Sequence, residues 1–380
     1  VETQRDLRLD LFRGLALWLI FLDHIPSTIA NSFTLRNFGF SDATEIFVFI
    51  SGYTAALVYG TAMSRQGFVV AGARIVRRTW QIYVAHIFLI CVYLAQIAFV
   101  ARNFENALYS EEMGVFEFLR QPDVTLIQAL SLMFKPANMD VLPLYIVLLA
   151  AFPPLLWLML RWPLAALLGS IAVYAAARMI DLNLPAYPSG HWVFNPFAWQ
   201  LLFNFGAWCA LGGADQLRKL ILSDLALAVA AIYLVISLAI VVTWHVPAWT
   251  ILVPQWLAEW MYPIDKTSLD PLRIMHFLAL AVFVVRLVPH GAAGLRSPFL
   301  RPLVLCGQHS LEIFCLGVLL SFAAHFIIME VHGGVGLQLL VSLAGIVLMV
   351  STATIMGWFK HIDGRSRDTR PKSAGATGSS

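Results

Sequence analysis

The stretch "LDLFRGLALWLIFLDH", residues 9–24, carries Asp10, Arg13, Asp23 and His24 in a segment otherwise apolar enough to lie in lipid. An ionisable side chain inside a membrane helix is costly, so each of the four calls for a partner or a task. Asp10 and Arg13 stand three residues apart near one end, where an intrahelical ion pair or snorkelling to the interface accounts for them. His24 follows Arg13 by eleven residues. At about 100° and 1.5 Å per residue it returns to nearly the same helix face, some 16 Å further along. Arg13 and His24 would therefore line one side of one path across a bilayer.

The rest of the chain agrees with a membrane setting. Of 380 residues 59% are hydrophobic and 12% charged, and the mean hydropathy is +0.76, too apolar for a water-soluble domain of this length. No nucleic-acid partner is indicated. Cys91, Cys209, Cys306 and Cys315 fall singly inside apolar runs, a pattern of neither a disulfide framework nor a zinc site, and no metal is expected.

With about 20 residues needed per crossing, ten apolar runs emerge, at about 9–29, 43–61, 79–101, 139–160, 164–181, 196–213, 224–243, 270–288, 303–328 and 335–358. The fold class expected is an all-α polytopic bundle of about ten transmembrane helices. Two broken apolar segments, "LIQALSLMF" and "VPAWTILVPQWLAEWMY", read as re-entrant or interfacial, and "MGVFEFLRQ" as a short surface helix. Placing the N-terminus inside puts 17 of the 25 Lys and Arg in inner segments and 7 in outer ones, so both termini are expected to be cytoplasmic. Residues 1–372 read as one membrane domain with no internal repeat. Residues 373–380 read as a tag remnant or disordered tail, and no cleavable signal peptide is expected.

Histidine suits proton traffic near neutral pH, as a base toward a hydroxyl or as a nucleophile toward an acyl group. A lone buried histidine is more often a hydrogen-bonded core residue, but Asp23 beside His24 and Glu45 at the head of "EIFVFISGY" weigh toward chemistry. Glu45 is expected at the depth of His24, able with Asp23 to orient its imidazole. Ser51 and Gly52 suit close helix packing. In "RQGFVVAGARIVRRTW", read as an inner loop, Arg74, Arg77 and Arg78 fit either positive-inside topology or a phosphate clamp for a nucleotide-bearing donor.

Six ordered motifs, "DLFRG", "FLDHIPS", "DATEIFVFISGY", "NMDVLPLY", "FNPFAWQLLF" and "CGQHSLEIFC", span residue 10 to about 320. Together they resemble the OpgC family, succinyltransferases of osmoregulated periplasmic glucans within the membrane-bound acyltransferase 3 superfamily. The resemblance implies a ten-helix enzyme of the bacterial inner membrane. It would move a succinyl group from cytoplasmic succinyl-CoA to glucan hydroxyls, with the donor as substrate and no permanently bound cofactor. His24 would carry the catalytic histidine and Arg13 its paired arginine. Asp140, Tyr145, His191, Trp192, Asn195, Trp199 and Gln200 suit acceptor binding from outside. His309 and Glu312 suit the donor from inside, along with Arg13, Arg74, Arg77 and Arg78. Plainer roles stand beside these: a helix cap for Asn195 before Pro196, and a buried pair for His309 and Glu312. Partners expected are acyl-CoA, glucan and lipid, and a homodimer is compatible with the sequence. An acetyltransferase of another glycan, or a transporter of glycans or lipid-linked sugars, stays open, although a transporter would more often show inverted repeats.

Overall fold

The computed structural model describes residues 6–26, 28–104, 111, 113–289, 291–331 and 333–368, without side chains for 247, 250, 252 and 363–368. The tail at 373–380 lies outside the described residues.

Fourteen helices order the described chain: α1 (Leu7–Asp23), α2 (Ala43–Asn103), α3 (Phe116–Arg120), α4 (Pro122–Leu130), α5 (Val141–Arg161), α6 (Pro163–Met179), α7 (Pro196–Trp208), α8 (Ala214–Ile221), α9 (Asp224–His245), α10 (Gln255–Met261), α11 (Pro271–Leu287), α12 (Arg301–Gln308), α13 (Ser310–Glu330) and α14 (Val335–Asp368). Among the described residues, extended pairing is confined to an isolated bridge between Pro185 and His191. Among the described residues, five helices are long and apolar enough to cross a membrane: α2, α5, α9, α13 and residues Val335–Ile362 of α14.

Helix starts follow the local sequence. Asp6 caps α1, Asn195 caps α7 ahead of Pro196, and Asp270 caps α11 ahead of Pro271, each side chain accepting from a first-turn N–H. At α2 the cap is reciprocal: Asp42 accepts from Thr44 N–H, and Glu45 reaches back to Asp42 N–H at 2.9 Å.

Two expectations are corrected here. The stretch containing "RQGFVVAGARIVRRTW" is helical, not a loop, interrupted only at Gly67, whose φ of +83° needs no Cβ to be accommodated. Nothing else in that stretch breaks a helix, so the chain turns at one residue, and Arg74 and Arg77 project from an exposed helix face. The ninth apolar run is likewise two helices, α12 and α13, meeting at His309. "MGVFEFLRQ" contains α3, α4 overlaps "LIQALSLMF", and "VPAWTILVPQWLAEWMY" contains a 3₁₀ turn and α10.

In lipid, helices gain little from burying apolar surface against one another, so close backbone approach at small residues carries the packing. Two crossings show it. A Cβ on Gly14 would lie 1.9 Å from the carbonyl oxygen of Leu303, and one on Gly307 would lie 1.9 Å from that of Asp10, so α1 and α12 meet backbone to backbone. Gly52 against Phe203 (1.9 Å) and Gly206 against Phe49 (2.2 Å) clamp α2 to α7. The "RG", "SGY" and "CGQ" motifs thus sit at helix crossings. Around them Phe21, Phe152, Trp199, Phe203 and Phe322 form the buried aromatic core.

Candidate active site

The C-terminal end of α1 and the N-terminal ends of α2, α5, α7 and α11 converge at one end of the bundle. Contacts between their caps establish this: Asn138 Nδ2, just ahead of α5, donates to the His24 carbonyl at 3.3 Å. Asn195 N–H donates to the Thr267 carbonyl at 3.0 Å, and Lys266 Nζ lies 2.6 Å from Asp42 Oδ2. Helix N-termini carry partial positive charge, and four of them lie at the end of the bundle that holds His24.

His24 caps the end of α1. Its Nδ1 is sealed from solvent and has no hydrogen-bond partner among the described residues. The expected orienting groups are engaged elsewhere. Asp23 Oδ1 accepts from Thr34 Oγ1 at 2.5 Å and lies 3.5 Å from Arg36 Nε. Glu45, fully buried, accepts from Arg273 Nε at 2.8 Å as well as from Asp42 N–H. A carboxylate at the third position of a helix is drawn back to the cap, and a buried one demands a cation; Arg273 meets that demand. Neither Asp23 nor Glu45 is hydrogen-bonded to the His24 ring in this geometry.

The network that holds this end is Asp42, Glu45, Lys266 and Arg273. Arg273 Nη2 lies 3.1 Å from Asp42 and 2.6 Å from Glu45. Burial works against the charge of Asp42, but Lys266 and Arg273 outweigh it and hold the carboxyl well below the usual range. One turn along α11 from Arg273, His276 Nδ1 lies 2.7 Å from Ser41 Oγ, and a Cβ on Gly39 would collide with its ring, so the 39–42 loop is pinned from both sides. Arg273, Lys266 and His276 carry this end although no sequence motif singles them out. The legible signal was "DATE", a capping box, together with an arginine inside an apolar run.

Of the residues expected to bind acceptor, three have their polar side-chain atoms engaged within the bundle. Asn195 is fully buried, capping α7 through Phe197 N–H and donating to the Leu182 carbonyl at 2.7 Å. Trp199 is fully buried, its indole N–H shared between the Lys266 and Thr267 carbonyls. Gln200 is knotted to Ser170 and Asn204 between α6 and α7, accepting from their side chains at 2.6 and 2.5 Å. These groups have their hydrogen bonds satisfied by helix ends and helix contacts, because buried polar atoms in a membrane bundle must find protein partners. His191 is exposed beside the bridge with Pro185. Trp192 is buried beneath Lys135, whose Nζ lies 4.1 Å from the ring centroid. Asp140 sits at the head of α5 close enough to attract Lys135. Tyr145 turns inward, lining with Ser51, Phe47 and Phe203 a cavity of about 10 Å³, room for one water at most.

Toward the opposite end, Arg13 Nη2 donates to Thr54 Oγ1 at 2.6 Å and to the Ile50 carbonyl at 3.2 Å, crossing from α1 to α2. Tyr145 lies within electrostatic reach of both Arg13 and Arg78. Arg74 and Arg77 are exposed, while Arg78 is half-buried and 3.4 Å from Gln81. His309 is buried at the α12–α13 junction, 3.4 Å from Lys360 Nζ, whereas Glu312 is exposed. His24 and Arg13 therefore sit at different heights of α1, with Tyr145 reached from the Arg13 side.

No curated protein and no solved structure matches the chain. The family model described as OpgC protein matches residues 5–361, nearly the whole length, and the chain belongs to that family.

Proposed function

We propose that this protein is a multi-pass enzyme of the bacterial inner membrane that transfers a succinyl group from cytoplasmic succinyl-CoA to hydroxyls of a periplasmic glucan. In this reading the chain crosses the membrane about ten times, with both termini cytoplasmic. The family supports a transferase that modifies glucans, and the apolar helices support a membrane setting. The observation that carries the reading is the His24 ring: Nδ1 is sealed, lacks a partner, and sits where four helix N-termini and a fixed charge network converge.

Such a histidine can act as a general base. An unprotonated ring nitrogen of His24 takes the proton of a glucan hydroxyl as its oxygen attacks the thioester carbonyl carbon. The carbon–sulfur bond breaks, and the departing coenzyme A sulfur receives that proton, giving an ester and a free thiol. The converging helix ends favour negative charge developing on the carbonyl oxygen. Arg74 and Arg77, exposed at the other end, suit the phosphates of the donor, and Arg78 and Arg13 suit the passage of its arm toward His24. The exposed His191 is the sugar contact this geometry favours.

The test is incubation of purified protein with succinyl-CoA and glucan, following thiol release and the mass of the glucan. Succinyl-ester increments with matching thiol release are expected. Binding and movement of glucan without thiol release would replace this reading with transport, and increments from acetyl-CoA alone would change the acyl group.

A further inference from the structure

The segment 131–140, between α4 and α5, contains a cation with donors to spare. Tyr83 and Tyr93 share one face of α2 and bracket this segment: the Tyr83 hydroxyl donates to the Leu130 carbonyl at 2.9 Å, and that of Tyr93 lies 3.2 Å from Met113 Sδ. His86 lies on the same face, spaced three and seven residues from them. It is fully buried, and neither ring nitrogen has a hydrogen-bond partner among the described residues. Lys135 is within electrostatic reach of His86.

Lys135 is half-buried. Its ammonium donates to the Leu132 carbonyl at 3.2 Å and rests over Trp192. Among the described residues no carboxylate comes within ion-pair distance of it. Burial pushes Lys135 down to about 8, with Asp140 pulling part of the way back. An ammonium has three donors, and a neutral imidazole has one. One Lys135 donor is used and the His86 donor is not, so this corner offers N–H groups with no acceptor to receive them. Buried donors in that state are met by water or by a ligand. The same segment touches His24, because Asn138 holds the His24 carbonyl, and three residues of chain span at most about 10 Å.

We propose that Lys135, held over Trp192, and His86 form a seat for the free carboxylate of a dicarboxylic acyl chain, selecting succinyl over uncharged acyl groups. The proposal rests on the acyltransferase reading above and names its specificity determinant. A carboxylate supplies about four acceptor positions for the unused donors. Its cation–π-supported ammonium pairs with it without moving a protein carboxylate. An acetyl group leaves the same donors unmet, which is how a polar site rejects an analogue lacking the polar group.

Two measurements test the seat. The first is the melting temperature of the detergent-solubilised protein with succinate or with neutral succinamide, for wild type, Lys135→Met and Lys135→Arg. Succinate is expected to raise the melting temperature of wild type, less so of Lys135→Arg, and not of Lys135→Met, with succinamide inactive throughout. The second is the ratio of succinyl to acetyl transfer, expected to fall roughly ten- to hundredfold in Lys135→Met. Equal succinate shifts in wild type and Lys135→Met, or an unchanged transfer ratio, would overturn the seat while leaving the transferase reading intact. Succinate binding that depends on Lys135 in a protein that transfers no acyl group would support the seat and contradict the reaction.

Discussion

Arg273 and Arg77 hold the same guanidinium in opposite settings. Arg273 is buried near the His24 end and shared between Asp42 and Glu45, with contacts of 2.6 to 3.1 Å. Arg77 projects from an exposed helix face near the other end. The buried arginine cannot answer a ligand without abandoning two carboxylates, so its work is to fix the caps of α2 and α11 around His24. The exposed one keeps its donors available to a mobile polyanion. In the proposed reading, rigidity falls at the end where a hydroxyl would be aligned, and open positive charge at the end where a donor would be gathered.

The largest separation between the two settings is expected in stability. Arg273→Met leaves buried Glu45 without a cation and Asp42 with Lys266 alone, and should cost about 3–5 kcal/mol, seen as a lower melting temperature and poor recovery of folded protein. Adding Glu45→Met should recover part of that loss. Arg77→Gln should leave the melting temperature where it is. If the two arginine variants melted alike, the contrast between the ends would be wrong.

Acid should expose the same network. Asp42 has its carboxyl held below the ordinary value of about 3.9. The stability it lends is therefore complete above that value and is lost as the pH falls through the folded one. Melting temperature should be level from neutral pH to about 5 and decline below. In Lys266→Met the decline should be shallower and complete at a higher pH, because with one of its two cations gone the folded value of Asp42 rises toward the ordinary one. A decline equally deep in both proteins would remove Lys266 from the network.

At the exposed end the expected effects are on binding and are smaller. Arg77→Gln should raise the KM for acyl-CoA by roughly fivefold or less, an exposed charge pair contributing about 1 kcal/mol at most, with kcat kept. The effect should shrink at high salt. Smallest is Gln200→Leu, which breaks the knot between α6 and α7. Hydrogen bonds between membrane helices average about 0.6 kcal/mol, so a modest drop in melting temperature with transfer intact is expected. A large loss of transfer would return Gln200 to acceptor binding.

Much of the fold was legible because the demands of lipid are written in composition and spacing. The apolar runs fall on helices, and the small residues at 14, 52, 206 and 307 mark the crossings. The turn at Gly67 was misread as a loop because a basic stretch between two apolar runs resembles a connection whether or not it is helical. The site was harder. His24 stood out as an ionisable group at the end of an apolar helix, but its neighbours come from residues 18 to 252 positions away. Local sequence cannot tell that Glu45 turns to Arg273 and not to His24. Asn195, Trp199 and Gln200 resembled sugar-binding groups because the same side chains that recognise hydroxyls also satisfy helix ends and helix contacts. How far each side chain is engaged inside the protein depends on packing, which is a property of the assembled bundle.

In the proposed reading, His24 does chemistry while the surrounding charges hold the frame. The most direct measurement compares His24→Ala with wild type for succinyl transfer to glucan and for melting temperature in one preparation. Transfer is expected to fall by about 10²–10⁴-fold while the melting temperature stays at the wild-type value, since the Nδ1 of His24 contributes no hydrogen bond to the fold. Transfer at the wild-type rate from well-folded His24→Ala protein would contradict it.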